Sequence, residues 1–313
     1  MNGTTAEAYT PIAVQFLPEP LITWADLRGV RFDAPFFRET LSGLSTDRVT
    51  ALTGIDELRA LDDRPTVAPG LLVFQVSRCG STLLSQMLAA VSTNVVISEA
   101  RVINEVLLSP LAPADKGELL RLVVRALGRN RDGDVQRLIV KFSSWNVFFA
   151  KMLHQAFPET PMIWLQRDPI HVAASHADQP AGWMTWRDTG SSAVSLFGLT
   201  VPQARAMSPE QFRLHAIEAL YRSADEANLP WQVIDYAELP AALWEKIAPH
   251  ARLSIDPGGI EQMRARSQFG SKDPRQSPFV PRDRTPALSD EEREVIAARI
   301  APLYRRIGLR VRP

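Results

Sequence analysis

The sequence contains a single cysteine, Cys79, among 313 residues. One thiol cannot form an intrachain disulfide, so a disulfide-stabilised scaffold is excluded and a reducing compartment is favoured. The N-terminal residues lack a basic stretch followed by an apolar one, so no secretory signal is expected. We therefore expect a cytoplasmic protein.

Three further features are missing from the sequence. No run of eighteen apolar residues occurs, so no membrane span is expected. Lys and Arg together number 35, as do Asp and Glu, and this zero net charge argues against a broad nucleic-acid-binding face while allowing a local basic pocket. The five histidines show no metal-ligand spacing such as H-E-x-x-H, so no bound metal is expected.

The remaining composition favours a globular protein. Apolar residues make up 45% of the chain, which is enough for a sizeable core, and the length suits one large domain or two small ones. Residues 1–68 are rich in proline and carry two short amphipathic patterns, at 36–41 and 55–61. We expect 1–68 to be an extension packed on the core or on a partner, and 69–313 to form the main domain.

After residue 70, β-rich and helical stretches alternate along the chain. Such alternation predicts a three-layer α/β/α fold with a central, mostly parallel five-stranded sheet. The strands are predicted at 71–76, 94–98, 138–142, 162–166 and 232–236. The helices are predicted at 82–91, 101–109, 115–129, 146–156, 169–176 and 209–228.

Charged or anion-binding groups stand at the end of every predicted strand. In chain order they are residues 77–82, Glu99, Lys141, Arg167 and Glu238. Because ligands of parallel sheets bind beyond the carboxyl ends of the strands, this edge of the sheet is the best candidate for a functional site.

The segment 71–84 (LLVFQVSRCGSTLL) has the layout of a phosphate-binding loop, with a buried strand, a tight turn and the start of an apolar helix. A Walker loop reads G-x-x-x-x-G-K-[ST]. Here Gly80 and Thr82 match, but Gln75 stands at the first glycine position and Ser81 at the lysine position, and the basic residue has moved to Arg78. The loop therefore suits a phosphate but is poorly equipped for a triphosphate with magnesium.

A simpler interpretation stays open for each motif. Residues 77–82 could form only a tight turn, and Asp168 could serve only as a helix cap. Glu99 could pair with a nearby arginine, and Lys141 could be a solvated charge at a strand end. Cys79 is interpreted as a small loop residue, although a thiol at a helix N-terminus could also be a nucleophile.

In combination, these motifs resemble the sulfotransferase family. Residues 76–84 (VSRCGSTLL) are similar to that family's loop for the 5′-phosphate of 3′-phosphoadenosine 5′-phosphosulfate (PAPS). Residues 157–175, which include MIWLQRDPIHVAAS, are similar to its 3′-phosphate segment, and 233–239 (VIDYAEL) look like its later strand motif. The dipeptide Ser271-Lys272 resembles its basic C-terminal loop. The resemblance covers roughly residues 69–308.

The resemblance implies a P-loop fold, PAPS as co-substrate without a metal, and transfer of a sulfuryl group to an acceptor hydroxyl or amine. It implies that Arg167 and Ser175 bind the 3′-phosphate together with Lys272, although Arg266 or Arg275 could take the place of that lysine. Arg78 and Lys141 would also stabilise charge on the sulfuryl group. The loop residues implied for the 5′-phosphate are Ser77, Arg78, Cys79, Gly80, Ser81 and Thr82.

The general base is implied by a different part of the pattern. In the steroid and phenol branch, a histidine lies two residues after the lysine of the third strand, but Ser143 stands there in this chain. The tyrosylprotein branch and many bacterial relatives use a glutamate at the end of the second strand instead. Residues 95–103 (VVISEARVI) resemble that arrangement, so Glu99 is the implied base.

Two other functions also fit parts of the sequence. The chain could be a P-loop kinase that uses ATP and magnesium, or a non-catalytic scaffold that binds a phosphorylated ligand. The missing lysine before Thr82 counts against the kinase. The acceptor stays open among small molecules, glycans, lipids and peptides, and a homodimer is compatible with the sequence.

Overall fold

The computed structural model describes residues 9–16, 18–129, 135–272, 277 and 288–310. Within these residues the strands form two sheets. A three-stranded antiparallel sheet contains β1 (Thr10–Gln15), β2 (Leu21–Ala25) and β3 (Val49–Thr53), in that order. A five-stranded sheet contains β4 (Pro69–Gln75), β5 (Asn94–Ser98), β6 (Arg137–Lys141), β7 (Met162–Gln166) and β8 (Gln232–Asp235).

The order in the larger sheet is β5-β6-β4-β7-β8, and all four neighbouring pairs are parallel. Every residue of β5 and β7 is buried, as expected for strands covered by helices on both faces. The chain leaves the central strand β4 toward β5 on one side and later crosses to β7 on the other. Strand ends at such a reversal form the crevice in which ligands bind to parallel sheets.

Helices flank the larger sheet. Those of the first half of the chain are α1 (Phe37–Ser42), α2 (Ile55–Arg59), α3 (Ser81–Ala89), α4 (Arg101–Leu107), α5 (Pro113–Leu127) and α6 (Ala150–Ala156). The others are α7 (Pro169–Asp178), α8 (Thr185–Thr189), α9 (Val201–Ala206), α10 (Pro209–Ala227), α11 (Ala248–His250), α12 (Pro257–Ser267), α13 (Asp290–Val295) and α14 (Ala301–Gly308). Wide helical turns at Leu243–Ile247 and Ile296–Ile300 lead into α11 and α14.

The predicted α/β class and the parallel five-stranded sheet are confirmed. Two strands have the predicted bounds, and the other three differ by one or two residues at one or both ends. The short predicted helices of the N-terminal segment correspond to α1 and α2. The antiparallel sheet β1–β3 was not predicted, and it is the main difference between expectation and structure.

The N-terminal sheet packs against the larger domain. Trp24 of β2 is 1% exposed, and its indole N–H donates to the Thr53 hydroxyl on β3 at 2.8 Å. The backbone N–H of Val14 donates to Glu105 Oε2 on α4 at 2.7 Å. The buried apolar side chains of both sheets form one continuous core. The domain boundary at residue 68 stays a prediction.

Buried carboxylates on α10 attach the C-terminal helices. Glu218 and Asp225 are 5% and 7% exposed, although neither lies in the crevice. Arg306 and Arg310 each approach Asp225 to 2.6 Å, and Arg299 approaches Glu218 to the same distance. The charges on α10 are thus neutralised by arginines of the last helical segment and, for Glu218, also by Arg222 of α10 itself.

Replacing Asp225 by Asn should lower the free energy of unfolding by about 1–3 kcal/mol, because two arginines lose their buried counter-charge. Glu226→Gln removes the same charge from the next residue, which is exposed, and should change stability by less than about 0.5 kcal/mol. Urea unfolding midpoints measure both effects. Equal midpoints for the two variants would contradict the role assigned to Asp225.

Candidate anion-binding site

The loop between β4 and α3 has an unusual backbone. Ser77, Arg78 and Gly80 have φ angles of 77°, 55° and 82°, all in the left-handed region. Non-glycine residues rarely adopt such angles, and strain of this kind clusters at functional sites. Backbone of left-handed conformation leading into a helix N-terminus forms a concavity of N–H groups that suits an anion.

Gly80 is required by space as well as by conformation. A Cβ atom at this position would lie 2.7 Å from Tyr236 Cδ2 and 2.9 Å from Leu239 Cδ1. Both contacts are closer than real Cβ atoms make. The loop is therefore pressed against the segment that follows β8, and only glycine fits between them.

Gln75 joins the loop to the neighbouring strand ends. Its Oε1 accepts the hydroxyl of Ser81 at 2.5 Å, and its Nε2 donates to Glu99 Oε1 at 3.2 Å and to the carbonyl of Phe142 at 3.1 Å. Its Oε1 also accepts the thiol of Cys79 at 3.8 Å, so the residue that replaces the first Walker glycine makes four contacts. The hydroxyl of Ser81, at the lysine position, is turned toward Gln75.

Glu99 and Lys141 form an ion pair at the ends of β5 and β6. Lys141 Nζ lies 2.7 Å from Glu99 Oε1, and the N–H of Glu99 donates to the Lys141 carbonyl at 2.8 Å. The side chain of Lys141 is 1% exposed and that of Glu99 is 27% exposed. Glu99 has a φ of 55°, which turns the chain away from β5 directly at the site. The hydroxyl of Ser143 lies 3.5 Å from the other carboxylate oxygen.

Arg78, Arg167 and Ser175 also come together. Arg78 Nε donates to Ser175 Oγ at 2.8 Å, and its Nη2 donates to Gln179 Oε1 at 2.7 Å. Arg167 Nη1 donates to the carbonyl of Arg78 at 3.1 Å, and its guanidinium lies 4.3 Å from the ring centre of Tyr236. The phosphate-loop motif and the later arginine-to-serine motif, nearly a hundred residues apart, thus meet in one place.

Lys272 reaches the same edge from the C-terminal part of the chain. Its Nζ lies 5.7 Å from the ring centre of Phe36. Burial lowers the pKa of Lys272, and the positive charges of Arg78 and Lys141 lower it further. The other basic residue considered, Arg266, donates to Gln86 Oε1 on α3 at 2.7 Å. Arg275 lies outside the described residues.

The resulting charge distribution favours an anion. Four cations, Arg78, Lys141, Arg167 and Lys272, come from four separate parts of the chain, and the carboxylate of Glu99 contacts Lys141. A chain of zero net charge therefore concentrates positive charge at one edge of its sheet. The donors available there are guanidinium, ammonium, hydroxyl and backbone N–H groups, which together match phosphate or sulfate oxygens.

His176 lies close to the same positively charged side chains. It is buried beside Trp183, with ring centres 5.2 Å apart. Burial lowers its pKa to about 3, and the charges of Arg78, Arg213 and Lys272 contribute to the decrease. His176 is therefore neutral at physiological pH and adds no charge to the edge.

The remaining loop residues are buried. Cys79 has no exposed surface, and burial raises the pKa of its thiol to about 11, which favours the small-loop-residue interpretation over a nucleophile. Thr82 is 7% exposed in the first turn of α3. Asp168 accepts the N–H of Ile170 at 2.9 Å, so it caps α7 as the simpler interpretation proposed.

Sequence reasoning missed three side chains that shape the site. Gln179 holds Arg78, Tyr236 covers Arg167 and Gly80, and Phe36 lies against two lysines. Tyr236 falls in the VIDYAEL motif, which was the one available signal. Phe36 belongs to the N-terminal segment, whose placement near the site no local pattern indicates.

Other features of the described residues lie apart from this site. A cavity of about 660 Å³ lies along β8 and α14, and none of residues 77–82 lines it. No group of three or more His, Cys, Asp or Glu side chains in the described part of the chain is arranged to hold a metal ion. None of the helices described there is long and apolar enough to cross a membrane.

Comparison with known proteins adds structural neighbours. No protein-family model matches the chain, and no curated protein sequence matches it. A sulfotransferase from Alicyclobacillus acidocaldarius is similar over 77% of this chain and 95% of its own, with 15% identity and a TM-score of 0.43. Sulfotransferase STF9 from Mycobacterium avium is similar over 78% of this chain and 79% of its own, with 13% identity and a TM-score of 0.46. At such low identities, activity and substrate must be inferred from this chain's own residues.

Replacing Gly80 by Ala should distort the loop, because the new Cβ would overlap Tyr236 and Leu239. We expect a loss of stability above about 2 kcal/mol, measured by urea unfolding. Gly198 provides a matched control, since its φ is 75° but nothing lies within 4 Å of an added Cβ. Gly198→Ala should cost only the conformational strain, about 1 kcal/mol. An equal loss in both variants would show that the contact with Tyr236 is unimportant.

Proposed function

We propose that this chain is a sulfotransferase that moves the sulfuryl group of PAPS to an acceptor hydroxyl or amine. The observation that carries the proposal is the convergence of Arg78, Lys141, Arg167 and Lys272 around a phosphate-type loop, with the carboxylate of Glu99 in contact with the buried lysine. A co-substrate with phosphates at two positions needs two anion-binding groups. The loop supplies one, and Arg167 together with Ser175 of α7 supplies the other.

The hydrogen-bond donors of the site fit the two phosphates of PAPS. The backbone N–H groups of residues 80–82 and the Thr82 hydroxyl would hold the 5′-phosphate at the start of α3. Arg167 and Ser175 would hold the 3′-phosphate, with Lys272 beside them. Arg78 donates to the neutral side chains of Ser175 and Gln179, and charged phosphate or sulfate oxygens are stronger acceptors for its guanidinium. The loop offers no lysine for a triphosphate.

Glu99 is proposed as the base that accepts the acceptor's proton. Its Oε1 is fixed by Lys141 and Gln75, so Oε2, near the Ser143 hydroxyl, is the oxygen we assign to the proton. Lys141 holds the side chain of Glu99 in place, and the carboxylate is the form of a glutamate that can accept a proton. When bound, PAPS supplies the sulfuryl group, which is attached to a phosphate that acts as the leaving group.

Lys141 and Arg78 would neutralise the charge that develops during transfer. Lys141 is almost completely buried, so its ammonium group acts where water screens little. Sulfuryl transfer resembles phosphoryl transfer in requiring in-line positioning and charge stabilisation more than covalent catalysis. The acceptor class is left to experiment among small molecules, glycans, lipids and peptides.

We expect 3′-phosphoadenosine 5′-phosphate to bind in the presence of EDTA. Arg167→Ala should weaken this binding about tenfold to a hundredfold, and Ser175→Ala by a smaller factor, because each removes a donor to a phosphate. Isothermal titration calorimetry measures the affinities. Arg101→Ala serves as the control, because it removes a charge at the same edge whose side chain is 74% exposed. This variant should bind the bisphosphate as tightly as the unmodified protein does.

The result that would overturn the proposal is absence of bisphosphate binding in EDTA, together with ATP binding that magnesium restores. That outcome would favour the P-loop kinase. Bisphosphate binding without any transfer would instead favour a binding scaffold.

Glu99→Gln should reduce turnover roughly a hundredfold to ten-thousandfold, because the amide cannot accept the proton. Affinity for the bisphosphate should stay within about threefold, since the amide still accepts from Lys141. Turnover is measured as transfer of a radiolabelled sulfuryl group to a panel of phenol, alcohol and sugar acceptors. Glu39→Gln removes an exposed carboxylate near the site and serves as the charge control. Near-normal turnover of Glu99→Gln would exclude Glu99 as the base.

A further inference from the structure

Two of the four cations lie over the same aromatic ring. Lys141 Nζ is 4.9 Å and Lys272 Nζ is 5.7 Å from the ring centre of Phe36. Both distances are within the range of cation–π attraction, in which the negative face of the ring draws a positive charge. Phe36 comes from the N-terminal segment, outside the phosphate loop and the α7 motif.

The position of Phe36 is fixed by its neighbours. Phe32 and Phe37 are buried and stacked on each other, with ring centres 5.8 Å apart and an angle of 7° between the planes. The carbonyl of Asp33 accepts Gln86 Nε2 of α3 at 2.9 Å. The residues on both sides of Phe36 are therefore anchored to the core and to the helix that starts at the phosphate loop.

Phe36 is an unfavourable residue for the N-cap position of a helix. It occupies the N-cap of α1, where Ser, Thr, Asp or Asn would accept a helix N–H through the side chain, and no such hydrogen bond is formed. Residues that break a local rule often serve a contact elsewhere. Here that contact is with the two ammonium groups.

The two lysines need such a contact. Lys272 is exposed overall, but partial desolvation of its ammonium group lowers its pKa, the charges of Arg78 and Lys141 lower it further, and those of Glu99 and Glu39 oppose the decrease. Loss of its proton would remove one charge from the anion site. An aromatic face stabilises ammonium ions most strongly where water is excluded, as it is around Lys141.

We propose that Phe36 is a positioning residue of the anion site, whose ring holds the ammonium groups of Lys141 and Lys272 in place and favours the charged form of Lys272 before the anion binds. The N-terminal segment thereby becomes part of the site rather than a separate appendage. The identity of the anion rests on the proposed function, whereas the contact between ring and lysines does not.

The test compares Phe36→Leu, which keeps apolar volume without an aromatic face, with Phe36→Tyr, which keeps the face. Competitive acetylation with peptide mass spectrometry gives the titration of Lys272 in each variant. Phe36→Leu should lower the pKa of Lys272 by about half a pH unit, and Phe36→Tyr should restore it. Phe32→Leu disturbs the stack that supports Phe36 but keeps the Phe36 ring, so it should change the titration less than Phe36→Leu does.

A second measurement links the ring to binding. Affinity for 3′-phosphoadenosine 5′-phosphate should fall about fivefold in Phe36→Leu and recover in Phe36→Tyr. If the unmodified protein does not bind this bisphosphate, the proposed function fails, but the acetylation experiment still decides the role of Phe36. An unchanged Lys272 titration in Phe36→Leu, or an equal change in Phe32→Leu, would overturn the proposal.

Discussion

The ion pair between Glu99 and Lys141 fixes the functional edge of the sheet. Three adjacent strands end there, because Glu99 follows β5, Lys141 closes β6, and Gln75 closes β4 and donates to the same carboxylate oxygen. A buried ammonium group is costly unless it is paired, so the lysine holds the carboxylate in place as firmly as the carboxylate holds the lysine. Gln75 also accepts the hydroxyl of Ser81, and this hydrogen bond connects the ion pair to the loop. The left-handed backbone of the loop is thus supported by hydrogen bonds from the strands, which explains how strained residues persist.

Much of the larger domain could be predicted from the sequence because its signals are local. Buried strands appear as short apolar runs such as NVVIS and MIWLQ, and helices begin at recognisable caps such as Asp168. The N-terminal sheet was missed because its signals are weak. Pro11 stands inside β1, and irregular register near Pro11 and near Thr23 breaks the alternation that would reveal a strand.

The candidate site was predictable to a similar, limited extent. Sequence patterns could nominate residues at strand ends, since the topology of a parallel sheet brings those ends to one edge. Contacts between segments that are distant in the chain could not be predicted from sequence patterns in the same way. The hydrogen bond from Arg78 to Ser175 spans 97 residues, and the approach of Phe36 to Lys141 and Lys272 depends on how an entire segment packs. No periodicity or local propensity encodes such distances.

Charge is distributed in this chain so that a neutral protein can offer a positive site. The buried acids of α10, Glu218 and Asp225, are neutralised by arginines of the C-terminal segment and contribute little field at the sheet edge. At the sheet edge, Lys141 and Lys272 lie over the ring of Phe36, and Arg167 lies over the ring of Tyr236. An aromatic ring attracts a cation without neutralising its charge, so the charge stays available to an incoming anion. The use of Phe36 and Tyr236 at those positions therefore fits a site that binds anions and works against one whose charges serve only to stabilise the fold.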